Sequence, residues 1–411
     1  MIDAVVDKTK HSFNITDNQQ ITIGANSRLT LVNSKCLANN NIPVKLSKDS
    51  YAVMNQSHQF LKSYIDRRVP VYGINTHFGD QVNLLEPHLK SDEQSYYQAI
   101  QARQENLIRS HACGLGKIIP PEIIKVTMML RAHCLSQGYS GVAPDHIEKI
   151  LNFLNAGIVP IVRCYGSIGA SGDLIPLAMI AAAVVGEDVE VLYQDKIMRA
   201  PQAIAMAGLK PFKLQMRDGL SMINGTSFMT AIASVALYDL KRLFLQMISA
   251  IAMTLESMMI ISSGYHPLVH QVKHHVGQMR VNEIILSFWE NSQLLFNLDE
   301  LRIANADQHS ATGNSNSELR PVQDYYSLRA ISQGFGPFYE NLDRATVWVE
   351  NEMNSVNDNP IIDAVGKQIH QGANFMGYYI TDACDILKNE YCAGIHLVTC
   401  VARKHGASAQ K

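Results

Sequence analysis

Long apolar-periodic stretches fill most of the second half of the chain. Their apolar side chains recur every three or four residues, which is the period of an α-helix buried along one face. The sequence shows no alternation of strands with helices, no fixed-period repeat and no low-complexity tract. It therefore predicts a mainly α fold with a bundle of long packed helices, over residues 227–263, 267–286, 337–356 and 374–403.

The first half of the chain is more mixed. Its first 45 or so residues are polar and predict loops or short strands at most. We divide the chain into an N-terminal domain, residues 1–220, and a central long-helix bundle, residues 221–411. Capping and stop residues, with Ser91 as the first cap, predict three helices in the N-terminal domain, over 91–112, 120–137 and 145–155.

Charged residues are scarce. The 35 Lys and Arg and 37 Asp and Glu make up 18% of the chain and give a net charge of −2, whereas soluble domains average about 25% charged residues. No window carries the dense Lys and Arg cluster that binds phosphate backbones, which excludes a nucleic-acid partner. Because 47% of the residues are apolar, we expect the helices to pack against further copies of the chain.

The apolar content does not take the form of a membrane span. A span needs about 18 consecutive apolar residues, and the longest candidate, residues 244–262, contains Gln246 and Glu256. The N-terminal residues lack the basic and apolar regions of an export signal. Seven cysteines without a Cys-x-x-Cys pair suit a reducing compartment, so we expect a cytoplasmic protein.

Two regular spacings raise the question of metal ligands. His266, His270 and His274 recur every four residues, and on one helix they would form a stripe able to ligate zinc. No carboxylate or cysteine is arranged with them, so we predict no metal and interpret the stripe as packed or solvated. Three cysteines at eight-residue spacing are predicted to share a buried helix face: Cys384, Cys392 and Cys400.

A glycine-rich turn, residues 166–173 with the sequence GSIGASGD, lies between apolar segments. Its glycine spacing matches neither the dinucleotide fingerprint nor a P-loop, and Asp173 stands where a nucleophile elbow needs glycine. Most isolated loops of this composition are tight connectors.

The three residues Ala170, Ser171 and Gly172 have one further chemical capability. If the turn is bent, the Gly172 nitrogen can attack the Ala170 carbonyl carbon and close a five-membered ring with loss of water. Loss of the Ser171 hydroxyl as a second water leaves an exocyclic methylidene, which is an electrophile. Glycine keeps the attacking nitrogen accessible, and the flanking glycines permit the unusual backbone.

The turn resembles the signature of the aromatic amino-acid ammonia-lyases, the histidine, phenylalanine and tyrosine enzymes and related aminomutases. That family builds a methylidene-imidazolone (MIO) group from Ala-Ser-Gly, and the resemblance implies that this chain forms MIO without an external cofactor. Further segments resemble the family in the same order, from about residue 42 to 387: 71–79 (VYGINTHFG), 104–111 (QENLIRSH), 223–226 (INGT), 323–329 (QDYYSLR), 357–360 (NDNP) and 372–375 (GANF).

The resemblance implies roles for individual residues. Tyr72 is the base that removes a β-proton, and because a phenol has a reference pKa of about 10, it needs a stabilised anion. Tyr326 joins the same side of the pocket. Arg329 clamps the substrate carboxylate, since a guanidinium binds a carboxylate through two parallel hydrogen bonds. Without the resemblance, each would be interpreted as a packed, solvated or ion-paired side chain.

The remaining implied contacts are to the substrate or the MIO group. Asn224 and Gln323 hydrogen-bond either of them, and Phe375 packs beside the ring. Ser110 and His111 lie where members of the family differ by substrate. Their polar character favours a ring with a hydrogen-bonding group, with histidine slightly ahead of tyrosine, because leaving a buried polar group unpaired costs about 1–3 kcal/mol.

The chain also departs from the family pattern. His77 stands where glycine is usual, residues 330–333 (AISQ) replace Cys-x-Pro-Gln, and residues 371–373 (QGA) replace His-Gly-Gly. Members of the family also continue beyond the point at which this sequence ends, with a segment that reaches the active site.

Three hypotheses follow. The first is an MIO-dependent ammonia-lyase that converts histidine to urocanate, tyrosine to coumarate, or phenylalanine to the corresponding unsaturated acid. The second is an aromatic amino-acid 2,3-aminomutase, which returns ammonia to the β-carbon. The third is an inactive lyase-like subunit. The resemblance further implies a homotetramer whose active sites are shared between subunits.

Overall fold

The computed structural model describes residues 20–79, 82, 92–169, 171–210, 212–312 and 321–392. Helices dominate this part of the chain, which confirms the mainly α prediction. They are α1 (Leu31–Asn39), α2 (Lys48–Asp66), α3 (Glu93–His111), α4 (Pro121–Leu135), α5 (Pro144–Asn155), α6 (Leu174–Val185), α7 (Ala200–Met206), α8 (Asp218–Ile223), α9 (Ser227–Ser257), α10 (Pro267–Gln271), α11 (Val276–Phe288), α12 (Leu298–Thr312), α13 (Tyr326–Arg329), α14 (Ile331–Met353) and α15 (378–392).

The strands are short and form small sheets at the margins of the helices. Strand β1 (Ile21–Ile23) pairs in parallel with β2 (Val44–Leu46), and the other pairs are antiparallel. They join β3 (Leu115–Ile118) to β5 (Arg163–Tyr165), β6 (Glu190–Tyr193) to both β4 (Val159–Pro160) and β7 (Lys196–Arg199), and β8 (Ile361–Asp363) to β9 (Gln368–His370).

The chain divides into two compact units. One comprises residues 15–236 and 348–381, and the other residues 237–347 and 382–411, each with the undescribed residues excepted. Residues 348–381 thus return to the unit built mainly from the first half of the chain. The division at residue 220, which the sequence suggested, stays a prediction about folding domains.

In the unit containing residues 15–236, buried helices form the centre. Helix α4 begins with Pro121 in its first turn, where a missing N–H costs nothing, and residues 126–135 are all buried. It packs between α1 and α5, while α3, α6 and α8 pack against one another. Alanines 181–183 let neighbouring backbones approach α6 closely. This second trio of helices carries the candidate site.

In the other unit, aromatic side chains join the long helices. Phe244 of α9 packs edge-on against Phe338 of α14, with ring centroids 5.1 Å apart. Tyr265 packs against Trp289 with centroids 4.8 Å apart. Helix α14 begins at Ile331, earlier than the sequence pattern indicated, and contains Pro337 in its interior, whose missing N–H leaves the carbonyl four residues earlier without its helical donor.

The helix predicted over 267–286 is wrong as a single element, and so is the histidine stripe. Helix α10 ends at Gln271, His274 has a positive φ of 67°, and α11 starts at Val276. The break has a tertiary cause, because Glu340 Oε1 accepts a hydrogen bond of 2.7 Å from the Gly277 N–H and so caps a new helix.

The three histidines therefore have different environments. His266 caps α10, with its ring nitrogen accepting from Leu268 N at 3.2 Å. His270 is buried and accepts from Gln278 Nε2 at 2.9 Å, and His274 is exposed. In the part of the chain that the structure describes, no group of three His, Cys, Asp or Glu is placed to hold a metal ion.

Other local expectations also need correction. Asp92, rather than Ser91, caps α3 by accepting from Ser95 N at 2.9 Å. The polar N-terminal region contains a full helix, α1. Cys384 and Cys392 are exposed, since α15 buries Ile380, Ala383 and Leu387 instead, and Cys400 lies outside the described residues. Among the described helices, none combines the length and apolar character needed to cross a bilayer.

A buried ion pair joins distant parts of the first unit. Arg217 and Asp358 are both fully buried and form two parallel hydrogen bonds of 2.9 and 3.0 Å. Arg217 also donates to the carbonyls of Ser140 and Asn359, at 2.7 and 2.9 Å. Arg131 lies 3.6 Å from the same carboxylate. One buried carboxylate is therefore the counter-charge for two guanidinium groups.

Replacing that carboxylate should destabilise the fold strongly. We expect Asp358→Asn to lower the free energy of unfolding by about 3–5 kcal/mol, because it leaves two buried guanidinium groups without a counter-charge. Urea unfolding followed by circular dichroism measures the change. The matched control is Asp188→Asn, which removes a carboxylate 77% exposed and paired with Arg199 at 3.5 Å. An exposed pair contributes at most about 1 kcal/mol, so equal effects of the two substitutions would contradict the interpretation.

Candidate active site

A cavity of about 760 Å³ lies along helix α3. Its walls are the tyrosine-containing loop after residue 71, one face of α3, the glycine-rich turn and the end of α8. All of these belong to the unit that contains residues 15–236. Five residues predicted for the site line this cavity together: Tyr72, Ser110, His111, Ser171 and Asn224.

The glycine-rich turn is sharply folded. Gly169 and Gly172 form an antiparallel bridge, so that Ser171 stands at the tip of the turn. Gly172 has a φ of 72° and is bridged to Gly225, and the Asp173 N–H donates to the Gly225 carbonyl at 2.8 Å. A Cβ at position 172 would lie 2.2 Å from that carbonyl oxygen. Only glycine fits here, which agrees with the role predicted for this nitrogen.

Asn224 contacts the turn directly. Its Nδ2 donates to the Ser171 carbonyl oxygen at 3.4 Å. Its Oδ1 is buried and has no hydrogen-bond partner among the described residues. A buried, unpaired amide oxygen is uncommon, and it provides an acceptor for a group that enters the cavity. Ala170 lies outside the described residues.

Tyr72 stands at the start of a tightly constrained loop. Its phenolic oxygen accepts a hydrogen bond from the Gly79 N–H at 3.4 Å, and its ring packs edge-on against Phe78 with centroids 6.2 Å apart. The Gly79 N–H and the Phe78 ring therefore fix the position of this phenol. The departure from the family pattern, His77, also lines the cavity.

Buried amides fix the shape of this loop. Asn75 Oδ1 accepts from the Val71 N–H at 2.6 Å, and its Nδ2 donates to the Tyr96 hydroxyl at 3.0 Å. Gln104 Nε2 donates to the Gly73 carbonyl at 2.8 Å. Sequence reasoning included both residues in motifs but assigned a role to neither. An amide that is fully buried shows its function only when its distant partners are known.

His111 has a defined tautomer. Its Nδ1 lies 2.9 Å from the Leu107 carbonyl, which can only accept, so Nδ1 carries the proton. The Ser110 hydroxyl donates to the same carbonyl at 3.0 Å and lies 3.0 Å from Nδ1. In the neutral ring, Nε2 is then an acceptor, and His111 is among the residues that line the cavity.

The other predicted residues do not line this cavity. Arg329, Tyr326 and Gln323 belong to the unit that contains residues 237–347. The Arg329 guanidinium stacks on the Tyr326 ring, 4.6 Å from its centroid, and Nε donates to the Asp324 carbonyl at 3.0 Å. Tyr326 is 76% exposed. Phe375 is half-buried in the first unit. Their roles in binding stay predictions.

A second layer of polar groups supports the turn. Arg131 Nη1 donates to Asn357 Oδ1 at 3.1 Å, and Nε donates to the Ser221 carbonyl at 2.7 Å. Arg131 and Asn357 both pack against Gly225, where a Cβ would lie 2.2 Å from Arg131 Nη1 and 2.5 Å from Asn357 Oδ1. The Asn-Asp-Asn-Pro segment therefore contributes to the site indirectly, by packing against Gly225, the residue that contacts Gly172.

Asp173 is a buried acid directly beside the turn. Its Oδ2 accepts from the Met229 N–H at 2.9 Å and Oδ1 accepts from the Ser167 hydroxyl at 3.4 Å. Burial nevertheless raises the pKa of this carboxyl to about 7, and the charge of Glu352 acts in the same direction. Burial also raises the pKa of Glu352, to which Thr226 donates a hydrogen bond. The interactions that oppose the effect of burial on the pKa of Asp173 are therefore hydrogen bonds and not positive charges.

Residues 29–399 match the model of the aromatic amino acid lyases, which is most of the chain. The chain belongs to the aromatic amino acid lyase family. Among relatives of this family, tyrosine 2,3-aminomutase of Chondromyces crocatus is 36% identical over 332 residues, which are 80% of this chain and 60% of that protein.

Histidine ammonia-lyase of Geobacillus thermodenitrificans is similar to nearly the same degree. It is 34% identical over 360 residues, 88% of this chain and 66% of the relative. The chain thus spans about two thirds or less of the length of these lyase-family relatives. The solved structure of phenylalanine aminomutase of Pantoea agglomerans superposes with a TM-score of 0.86 at 29% identity, covering 93% of this chain and 72% of that one. The predicted fold and family resemblance are confirmed.

The raised pKa of Asp173 predicts how stability depends on pH. The folded-state pKa of about 7 lies above the ordinary value of 3.8, so between about pH 4 and pH 7 the unfolded chain gives up this proton first. Stability is therefore lost as pH rises through this window, and the loss is complete above about pH 7. We expect Asp173→Asn to remove this dependence.

The comparison should use protein that cannot form the methylidene, so Ser171→Ala is the background for both chains. Urea unfolding near pH 4.5 and near pH 8 gives the free energy of unfolding of each. The stabilisation by Asp173→Asn should be larger near pH 8. A difference that stays constant across this range would show that the carboxyl titrates alike in folded and unfolded chains.

Proposed function

We propose that this protein is an MIO-dependent enzyme that eliminates ammonia from an aromatic L-amino acid. The observation that carries the proposal is the folded turn at residues 169–172, pressed on Gly225 with Ser171 facing the cavity. Membership of the aromatic amino acid lyase family supports it. The chemistry needs one electrophile for the amino group and one base for the β-proton, and the cavity wall offers a residue for each.

The residues fit the formation of the MIO group from this chain. Ring closure removes the Ala170 carbonyl oxygen as one water. Elimination of the Ser171 hydroxyl with its α-hydrogen removes a second water and leaves the Ser171 carbonyl conjugated with the new methylidene. This is the oxygen to which Asn224 Nδ2 donates. Once formed, the group supplies an electrophilic carbon that turns a poor leaving group, the substrate amine, into a better one. Asn224 polarises the conjugated carbonyl and so strengthens that electrophile.

Tyr72 is the proposed base. Its oxygen lines the same cavity as Ser171 and accepts the Gly79 N–H. In the elimination, the phenolate takes the proton from the carbon next to the aromatic ring while the amine departs. This hydrogen bond and the constrained loop around Asn75 contribute to the reaction by positioning the phenol oxygen.

The substrate class follows from His111. With Nδ1 protonated, Nε2 accepts a hydrogen bond. A phenol hydroxyl or an imidazole N–H can donate to it, whereas the ring of phenylalanine cannot. We therefore propose histidine or tyrosine as the substrate, with histidine slightly ahead because of the Ser110–His111 pair. Phenylalanine would leave the acceptor unpaired.

A second candidate function is an aromatic amino-acid 2,3-aminomutase. The similarity to tyrosine 2,3-aminomutase and to phenylalanine aminomutase favours it. The same residues would begin this reaction, and the released ammonia would then add to the β-carbon. Product analysis with labelled substrate separates the two functions, because only the lyase accumulates the unsaturated acid as its final product.

We also propose that the active protein is a cytoplasmic homotetramer with shared sites. The Arg329 guanidinium stacks on the Tyr326 ring, and Tyr326 is exposed and so available to another copy of the chain. In a tetramer they would meet the cavity of another subunit, where Arg329 binds the substrate carboxylate. Gln323 and Phe375 would complete the polar and aromatic contacts.

The mechanism depends on the Ser171 hydroxyl. We expect wild-type protein to be lighter than its sequence by two waters, and Ser171→Ala to lack the methylidene and to lose turnover by at least about 1,000-fold, since the electrophile is removed. Intact-mass measurement and an ultraviolet assay of histidine, tyrosine and phenylalanine test both statements. Ser257→Ala, at an exposed position of α9, should keep the mass deficit and the turnover. Full activity of Ser171→Ala would refute the mechanism.

Substrate preference should depend on His111. We expect His111→Phe to lower kcat/KM for histidine or tyrosine relative to phenylalanine by roughly 10- to 100-fold, because the ring acceptor is lost. Steady-state kinetics on the three amino acids measure the ratio. His370→Phe, an exposed position on β9, serves as the control and should leave the ratio as in the wild type. An unchanged ratio in His111→Phe would remove the basis for the proposed substrate class.

A further inference from the structure

Gln104 joins two walls of the cavity without lining it. The side chain is fully buried on the inner face of α3. Its Nε2 donates to the Gly73 carbonyl at 2.8 Å, and its Oε1 accepts from the Leu220 N–H at 2.9 Å. Because a carbonyl only accepts and an N–H only donates, the two partners fix the orientation of the amide. The neighbouring residue Arg103, by contrast, lines the cavity.

The two partners of Gln104 lie close in the chain to residues with a proposed role in the reaction. Gly73 follows Tyr72, the proposed base. Leu220 belongs to α8, which is followed at once by Asn224, and Asn224 contacts the Ser171 carbonyl at 3.4 Å. One amide therefore connects the backbone of the base to the helix that carries the contact to the turn.

No side chain at the start of α8 replaces this connection. The Leu220 N–H lies in the first turn of α8, where backbone donors have no partner within the helix. The N-cap residue, Arg217, makes no side-chain capping hydrogen bond. The elements are also in direct contact, because a Cβ at Gly219 would lie 2.7 Å from the Gln104 backbone oxygen. The amide thus sets the register between α3, α8 and the Tyr72 loop.

We propose that Gln104 is a positioning residue that fixes the separation between Tyr72 and the electrophilic turn. This inference rests on the proposed function. The base must reach the β-carbon of a substrate whose amino group is already held at the turn, so the two groups must keep a defined spacing. Loss of the amide lets the Tyr72 loop and α8 move independently, which lowers the rate of proton removal and leaves substrate binding largely unchanged.

Two substitutions at Gln104 test the proposal. Gln104→Met has similar length and removes both hydrogen bonds. Gln104→Glu keeps the acceptor for the Leu220 N–H, and it can donate to the Gly73 carbonyl only while its carboxyl is protonated. We expect Gln104→Met to lower kcat roughly 10- to 100-fold, with KM within about threefold of wild type and the two-water mass deficit retained.

The pH profile gives a readout that a purely structural role would not produce. The kcat of Gln104→Glu, divided by that of wild type at the same pH, should rise as pH falls and the introduced carboxyl becomes protonated, whereas the ratio for Gln104→Met should stay flat. The matched control is Gln101→Met, one turn earlier on α3, whose amide donates to Glu105 at 2.8 Å and whose kcat should stay within about twofold of wild type.

Three results would overturn the inference. They are a kcat of Gln104→Met equal to that of Gln101→Met, a KM that rises as much as kcat falls, and a flat pH ratio for Gln104→Glu. The proposed function fails in a different and recognisable way, as wild-type protein without the mass deficit and without turnover. Because Gln104→Glu preserves size and one hydrogen bond, it keeps the test decisive if Gln104→Met does not fold.

Discussion

The rest of the site depends on one close backbone contact, between Gly172 and Gly225. Neither position has space for a side chain. A Cβ at position 172 would meet the Gly225 carbonyl, and a Cβ at position 225 would meet Arg131 and Asn357. The contact holds the turn in a position where Ser171 lines the cavity. It also places Asn224, the residue before Gly225, beside the Ser171 carbonyl. The position of the electrophile therefore follows from packing of the main chain.

The buried charges near that contact have two different environments, one at Asp358 and one at Asp173. The buried carboxylate of Asp358 compensates Arg217 and Arg131, and these arginines bind main-chain carbonyls of several segments. Directly under the turn, Asp173 receives only hydrogen bonds, and burial raises its pKa to about 7. Positive charge thus compensates the scaffold carboxylate, whereas hydrogen bonds are what opposes the effect of burial on the pKa of Asp173.

Much of the site could be predicted from the sequence, because its chemistry-bearing residues occur in short motifs. Tyr72, His111, Ser171 and Asn224 each came from a motif, and the structure brings them to one cavity. The supporting residues could not be predicted in the same way. Arg217 and Asp358 are 141 positions apart, and nothing in local spacing indicates that they pair.

The fold shows the same limit. Helical periodicity identified the long helices but not the break at His274, which depends on Glu340 from a distant helix. The eight-residue spacing of the cysteines was compatible with a buried or an exposed face of α15, and the face that is buried carries Ile380, Ala383 and Leu387 instead.

The tight fit at Gly225 has an evolutionary consequence. A descendant that lost the chemistry would still need both glycines in order to fold, so mutational drift could remove Ser171 long before it altered the glycines on which the turn rests.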